Sequence, residues 1–219
     1  MITFEQVKSD NAVKTYIHKA DQSLEALGYT EHSFPHVLKV SDTAGYILKT
    51  LGYSEREVEL ARIAGYLHDI GNLVNRIEHA QSGAVMAFRI LDRMGADPDD
   101  IATVVTAIGN HDESTAEAVN PVAAALILAD KSDVRRSRVR NRDITSFDIH
   151  DRVNYSVKKA TTRINSEEKA IELHLTIDTE FFSAMDYFEI FLGRMLLCRK
   201  AASKLELDFH LNVNGKRLA

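Results

Sequence analysis

Residues 54–98, SEREVELARIAGYLHDIGNLVNRIEHAQSGAVMAFRILDRMGADP, decide the fold. Ser54 with Glu57 three positions on predicts a capping box, in which each side chain satisfies an orphan amide at a helix start. Val58, Ala61, Ala64 and Leu67/His68 then recur at helical steps, giving one face of a helix that stops near Gly71. A second helix is predicted from Glu78 to Met94, because Gly95 stands in the C′ position where left-handed backbone costs least. Asp97-Pro98 opens a third as N-cap plus first helical residue.

The same reading extends outward. His36, Val40, Thr43/Ala44, Ile47 and Leu51 form a helix face after Pro35, and Asn120-Pro121 repeats the proline start. After residue 167 the period becomes two. Ile171, Leu173, Leu175 and Ile177 alternate with Glu172, His174 and Thr176, and Leu205, Leu207, Phe209, Leu211 and Val213 alternate with Glu206, Asp208, His210 and Asn212. Residues 181–204 between them are long and apolar enough for a helix. The fold class expected is mainly α. A helical bundle with an N-terminal helix fills 1–160, and a small C-terminal β-α-β appendage, 161–219, packs on the body or on a dimer partner.

Composition excludes other classes. Of 219 residues, 45% are hydrophobic and 27% charged, which excludes disorder and low complexity. A single cysteine, Cys198, builds no disulfide framework and favours a reducing compartment, so a cytoplasmic location is expected. The start, MITFEQVKSDNAVKTY, lacks the layout of a signal peptide, and no apolar run reaches membrane-spanning length. The net charge of −5 argues against a globally basic binder of nucleic-acid polymers.

Chemistry concentrates at the ends of the central helices. His36, His68-Asp69, His79, His111 and Asp130 are imidazoles and carboxylates, ligands for iron, manganese or zinc. Antiparallel helices joined by short loops bring alternating ends together. In the tandem His68-Asp69, adjacent residues project at different angles, so Asp69 could bridge to an ion that His68 does not touch.

His36, HDIG at 68–71, EHAQSGA at 78–84, AIGNHDE at 107–113 and LAD at 128–130, in this order, resemble the HD superfamily of metal-dependent phosphohydrolases. The local motifs look closest to bacterial HD-type diadenosine tetraphosphate hydrolases. HD-GYP cyclic-dinucleotide phosphodiesterases are similar too, but usually show a double His where this chain has His111-Asp112. Both groups tend to carry Lys where this chain has Asn72. The resemblance implies an HD-domain bundle in which His36, His68, Asp69 and Asp130 hold one metal. Asp69 would bridge to a second ion, held also by His79 and His111. Asp69 and Asp112 would be the catalytic carboxylates, with Asp112 orienting an imidazole or deprotonating water. Iron or manganese suits mixed His/carboxylate ligation with open positions, with zinc or nickel as substitutes. The implied reaction is hydrolysis of a phosphoanhydride or phosphoester bond in a small nucleotide-like substrate, diadenosine polyphosphate leading and a cyclic dinucleotide second. The alternative of another class is a non-catalytic metal-binding signalling module.

The other histidines carry bland expectations: His18, His32 and His150 as helix caps or dipole partners, His174 and His210 on the polar faces of strands. KSDVRRSRVRNR, 131–142, holds six basic residues and one acid. If helical, Lys131, Arg135, Arg138 and Arg142 form a stripe, and Arg135 or Arg138 is expected to bind substrate phosphate. Phe182, Met185, Phe188, Leu192, Met195 and Leu196 are expected in the core or at a dimer contact. Two strands alone are marginal, so a homodimer that completes the sheet is expected.

Overall fold

The computed structural model describes residues 1–113, 116–178 and 184–218, without the side chains of 149 and 184–190. Helices α1 (Phe4–Ser9), α2 (Asn11–Ala26), α3 (Phe34–Thr50), α4 (Glu55–Leu67), α5 (His79–Arg93), α6 (Pro98–Gly109) and α7 (Pro121–Ser132) build the body. The capping box on α4 forms as expected, with Ser54 and Glu57 bonding reciprocally. Gly95 takes φ +72° after α5, as a left-handed helix terminus requires. Helix α7 is the axis of the bundle: Val122 to Ala129 are all buried, so it packs on every side, against α3, α4, α6 and α9. Among the described residues no helix is long and apolar enough to cross a membrane.

The chain then runs through α8 (Ile149–Ser156), β1 (Val157–Asn165), β2 (Ala170–Ile177), α9 (Ala184–Lys204), β3 (Asp208–Val213) and β4 (Lys216–Arg217). The β-α-β element stands: β2 and β3 pair in parallel with Ile171 opposite Phe209 and Leu173 opposite Leu211, and α9 crosses between them. Two further strands flank it, β1 antiparallel to β2 and β4 antiparallel to β3. The change to strand therefore falls at Val157, not near residue 167. Strand β1 reads VKKATTRIN and is half-exposed along its length, so its sequence has no apolar alternation, as suits an edge. With four strands present, the reason for recruiting a second chain to complete the sheet falls away. The appendage packs on its own body, α9 against α7 and β1 against α3 and α7.

The basic run also departs from expectation. Helix α7 ends at Ser132, and only a 3₁₀ turn at Arg136–Arg138 follows, so no helical stripe forms. Of the apolar set on α9, Met195 packs on the core, while Leu192 and Leu196 are exposed. Phe182 and the side chains of Met185 and Phe188 lie outside the described residues.

Candidate metal centre

Glycine lets the site elements touch through backbone. A Cβ on Gly65 would stand 2.7 Å from Ser41 Cα, so α4 crosses α3 at backbone distance and sets His68 against His36. A Cβ on Gly71 would stand 2.0 Å from the His79 carbonyl oxygen and 2.5 Å from Gly83 N. The 3₁₀ turn that follows Asp69, Ile70–Leu73, therefore rests directly on the first turns of α5.

Six side chains converge there. His36 Nε2 lies 3.3 Å from His68 Nε2, 3.4 Å from Asp69 Oδ2 and 3.4 Å from Asp130 Oδ1. His68 Nε2 lies 3.2 Å from Asp69 Oδ2. On the other side His79 Nε2 lies 3.3 Å from His111 Nε2 and 3.5 Å from Asp69 Oδ1. The two oxygens of Asp69 thus face two different histidine pairs.

The outer nitrogens determine the chemistry of the inner ones. His36 Nδ1 bonds Asp133 Oδ2 at 2.8 Å, and His68 Nδ1 donates to Gly65 O at 2.8 Å. His111 Nδ1 donates to Ile108 O at 2.6 Å, and His79 Nδ1 to Arg76 O at 3.1 Å. Carbonyls and carboxylates only accept, so an Nδ1 bonded to one donates and the Nε2 of each ring is left facing inward. Two Nε2 lone pairs facing each other at 3.3 Å repel unless a proton or a metal ion lies between them. Asp69 Oδ2, buried among them, has no aligned hydrogen-bond donor. Metal–ligand bonds of about 2.0–2.2 Å subtend donor–donor edges of roughly 3–3.5 Å, so the donor set fits metal ions. His36, His68 and Asp130 form one compact group and His68, Asp69 and His111 another.

The electrostatics agree. Burial opposes protonation of His36, as does Arg138, yet bonds to Asp130, Asp133 and Asp69 raise its pKa to about 10. Burial and the neighbouring His68 push His111 down to about 3. Burial acts against the charged forms of Asp69 and Asp130. The neighbouring imidazoles, and Lys131 beside Asp130, nevertheless hold both well below the usual carboxylate range. In the metal-free protein, protonation of His36 stabilises the fold fully below its unfolded value of about 6.5, and this is lost as pH rises through about 10. A metal bound there would replace that proton. Manganese titrated into stripped protein at pH 8 is expected to release at least one proton per chain. The check is calorimetry in buffers of different ionisation enthalpy; a proton count of zero contradicts it.

Asp133 anchors the outer shell. It is 1% exposed and bonds His36, Lys39 (2.9 Å) and Arg135 (3.0 Å). Asp133→Asn is expected to weaken metal binding by roughly ten- to a hundredfold through loss of this orientation; an unchanged manganese affinity contradicts the role.

The cavity at this centre has a volume of about 90 Å³. Asp112 lines it, with Oδ1 4.0 Å from His79 Nε2. Arg138 reaches the wall, but its Nε and Nη1 are held by the carbonyls of Glu31 and Asp133. Arg135 does not line the cavity; it pairs with Glu31 at 3.0 Å and with Asp133. The expected phosphate role for Arg135 is therefore corrected to a structural one. Asn72 is buried and donates to Asp69 Oδ1 at 3.0 Å, steadying the shared carboxylate.

Several wall residues were not singled out as site residues by the sequence. His32 is edge-on to His36 at 5.5 Å, and His150 faces the same space. Both were expected to be bland. Arg76, in the loop before α5, sets Nη1 3.2 Å from His79 Nε2. Lys131 sits 2.8 Å from Asp130 Oδ2. A signal for His32 exists in the four-residue step to His36 across the Pro35 helix start. His210, expected on the polar face of a strand, is 6% exposed, with Arg217 bonded to it.

The HD domain family model matches residues 34–145, about half of the chain. Ribonuclease Y of Thermotoga petrophila is 30% identical over 113 residues, 52% of this chain but 22% of that protein. The chain thus spans about a fifth of the length of the Ribonuclease Y proteins it matches. Uncharacterized protein MJ1020 of Methanocaldococcus jannaschii is 24% identical over 200 residues, covering 81% of this chain and 76% of that one. A crystal structure described as a predicted HD superfamily hydrolase from an uncultured Thermotogales bacterium aligns with TM-score 0.46 and 25% identity, over 57% of this chain and 67% of that one.

Proposed function

Because the chain belongs to the HD domain family, we propose that it is a metal-dependent phosphohydrolase that removes a terminal phosphoryl group from a small nucleotide-like substrate. The observation that carries this reading is the set of four imidazoles whose Nδ1 atoms all bond outward, leaving their Nε2 atoms facing Asp69, Asp130 and one another. His36, His68, Asp130 and Asp69 Oδ2 would hold one divalent ion, and His79, His111 and Asp69 Oδ1 the other. The mixed nitrogen and oxygen donors favour iron or manganese. When bound, such a pair supplies Lewis acidity toward phosphoryl oxygens and lowers the pKa of a water.

The chain's own residues do the rest. Arg76, beside His79, presents a planar guanidinium that can hold two non-bridging phosphoryl oxygens. Asp112, at the cavity wall, would orient the attacking water and accept its proton. Lys131 neutralises Asp130. Six carboxylates and four fixed cations line the cavity, a formal −2 that two divalent ions would turn to +2, the sign a phosphate needs. A volume of about 90 Å³ is well below the 300–1,000 Å³ of sites that engulf a whole small molecule. A phosphoryl group at a chain end fits it better than the internal phosphates of diadenosine tetraphosphate.

The test is a screen of protein stripped of metal and reconstituted anaerobically with iron or manganese. Substrates are p-nitrophenyl phosphate, nucleoside mono- and diphosphates, diadenosine tetraphosphate, a cyclic dinucleotide and a short RNA. Metal-dependent phosphate release from the terminal phosphates is expected. Cleavage of only the cyclic dinucleotide or the RNA would move the reading to a phosphodiesterase. No cleavage at all with metals bound would make the protein a metal-binding module.

A further inference from the structure

The cavity is closed by residues beyond the family match. That match ends at residue 145, yet His150 of α8 and Arg194 of α9 both line the cavity. Helix α9 belongs to the C-terminal appendage and reaches the site because it packs against α7, which carries Asp130 and Lys131.

Arg194 is held in a particular way. Its Nε lies 2.6 Å from Glu113 Oε1, without an aligned hydrogen bond, and its guanidinium carbon lies 5.9 Å from the Phe191 ring centroid. Lys131 Nζ lies 3.7 Å from the same Glu113 oxygen and 2.8 Å from Asp130 Oδ2. Arg194 therefore stands three ion-pair links outward from the ligand carboxylate, through Glu113 and Lys131, whereas Arg76 touches the donor cluster itself. Among the described residues, Nη1 and Nη2 of Arg194 have no hydrogen-bond partner. The polar groups around it are largely committed: Asp148 caps α8, and Asn154 bonds the His150 carbonyl and Arg135 N. Burial and the nearby Arg194 both lower the pKa of His150, which leaves a neutral imidazole as a further donor.

Of the three guanidinium groups that line the cavity, Arg138 is held by two carbonyls, and Arg76 and Arg194, at different removes from the donor cluster, match two anionic groups in succession. We propose that Arg194, with His150, forms an outer anion subsite that selects a phosphoanhydride, holding the phosphate next to the one seated at Asp69 and Arg76. The inference rests on the phosphohydrolase reading for the inner position and names its substrate class. The appendage is then a part of the site. It supplies the cation that distinguishes a diphosphate from a monophosphate, through a fork suited to phosphate oxygens.

Binding tests it apart from turnover. The full chain, loaded with manganese, is titrated calorimetrically with methylenediphosphonate and with methylphosphonate, neither of which is hydrolysed. The diphosphonate is expected to bind at least tenfold more tightly. Arg194→Ala is expected to remove about tenfold from the diphosphonate and less than twofold from the monophosphonate, with manganese stoichiometry unchanged. Arg194→Gln serves if the alanine variant does not fold. Equal affinities in the wild type, an equal loss on both ligands, or no binding of either overturns the subsite. If this pattern holds while no phosphorylated compound in the screen is cleaved, the hydrolase reading fails and the anion subsite stands.

Discussion

Asp69→Ala is expected to bring the metal content of the protein from two ions per chain to near zero, and to abolish turnover with it. The reason is geometric. One oxygen of Asp69 lies 3.2–3.4 Å from the Nε2 atoms of His68 and His36, the other 3.5 Å from that of His79. No other described side chain faces both histidine pairs with separate oxygens. Outer-shell losses weaken metal sites by roughly ten- to a hundredfold, so loss of the shared inner carboxylate should exceed that. His111→Ala removes a donor from one side only and is expected to leave about one ion. Elemental analysis after gel filtration in dilute manganese reads both variants. Full retention of two ions in Asp69→Ala contradicts the bridging role.

Gly71→Ala should have the largest effect on stability. The added Cβ would sit 2.0 Å from the His79 carbonyl oxygen and 2.5 Å from Gly83 N. Both neighbours are backbone, so no side chain can swing aside, and the turn after Asp69 must lift from α5. Overpacking of this kind costs about 3 kcal/mol or more, which for a chain of this size lowers Tm by roughly 6–12 °C. The same shift separates Asp69 from His79, so metal affinity falls as well. Gly109→Ala is the control. It closes α6, and its Cβ would meet only Ala84 Cβ at 3.6 Å, an ordinary contact. A helical Gly→Ala gains up to about 1 kcal/mol, so its Tm should hold or rise. Equal melting temperatures for the two variants contradict the close backbone approach.

The helical body was legible because its signals are local. Ser54 and Glu57, Gly95 and the prolines at 98 and 121 each mark an end by a bond, a dihedral or a missing amide that neighbours in sequence supply. The inner donors were legible for a related reason: each lies at or near a helix end, and those ends meet. What was not legible depends on distant partners. Strand β1 is specified by pairing with β2, Thr162 opposite Leu173, and not by its own pattern. The run 131–142 read as a basic stripe for substrate phosphate because its single acid, Asp133, counts little in composition. In the fold that acid turns inward to His36 and draws Lys39 and Arg135 around itself. Arg194 is the clearest case. It lies 64 positions from Asp130 in an apolar helix, and only the packing of α9 on α7 brings it to the cavity.

The central claim is that one shared carboxylate joins two metal positions. Electron paramagnetic resonance of protein reconstituted with manganese tests it most directly. Ions in two-metal sites lie about 3.5–4 Å apart, close enough for exchange coupling through a bridge. At two equivalents of manganese, a coupled multiline spectrum is expected in the wild type and its absence in Asp69→Ala. An uncoupled six-line signal from the wild type at every manganese ratio would contradict it.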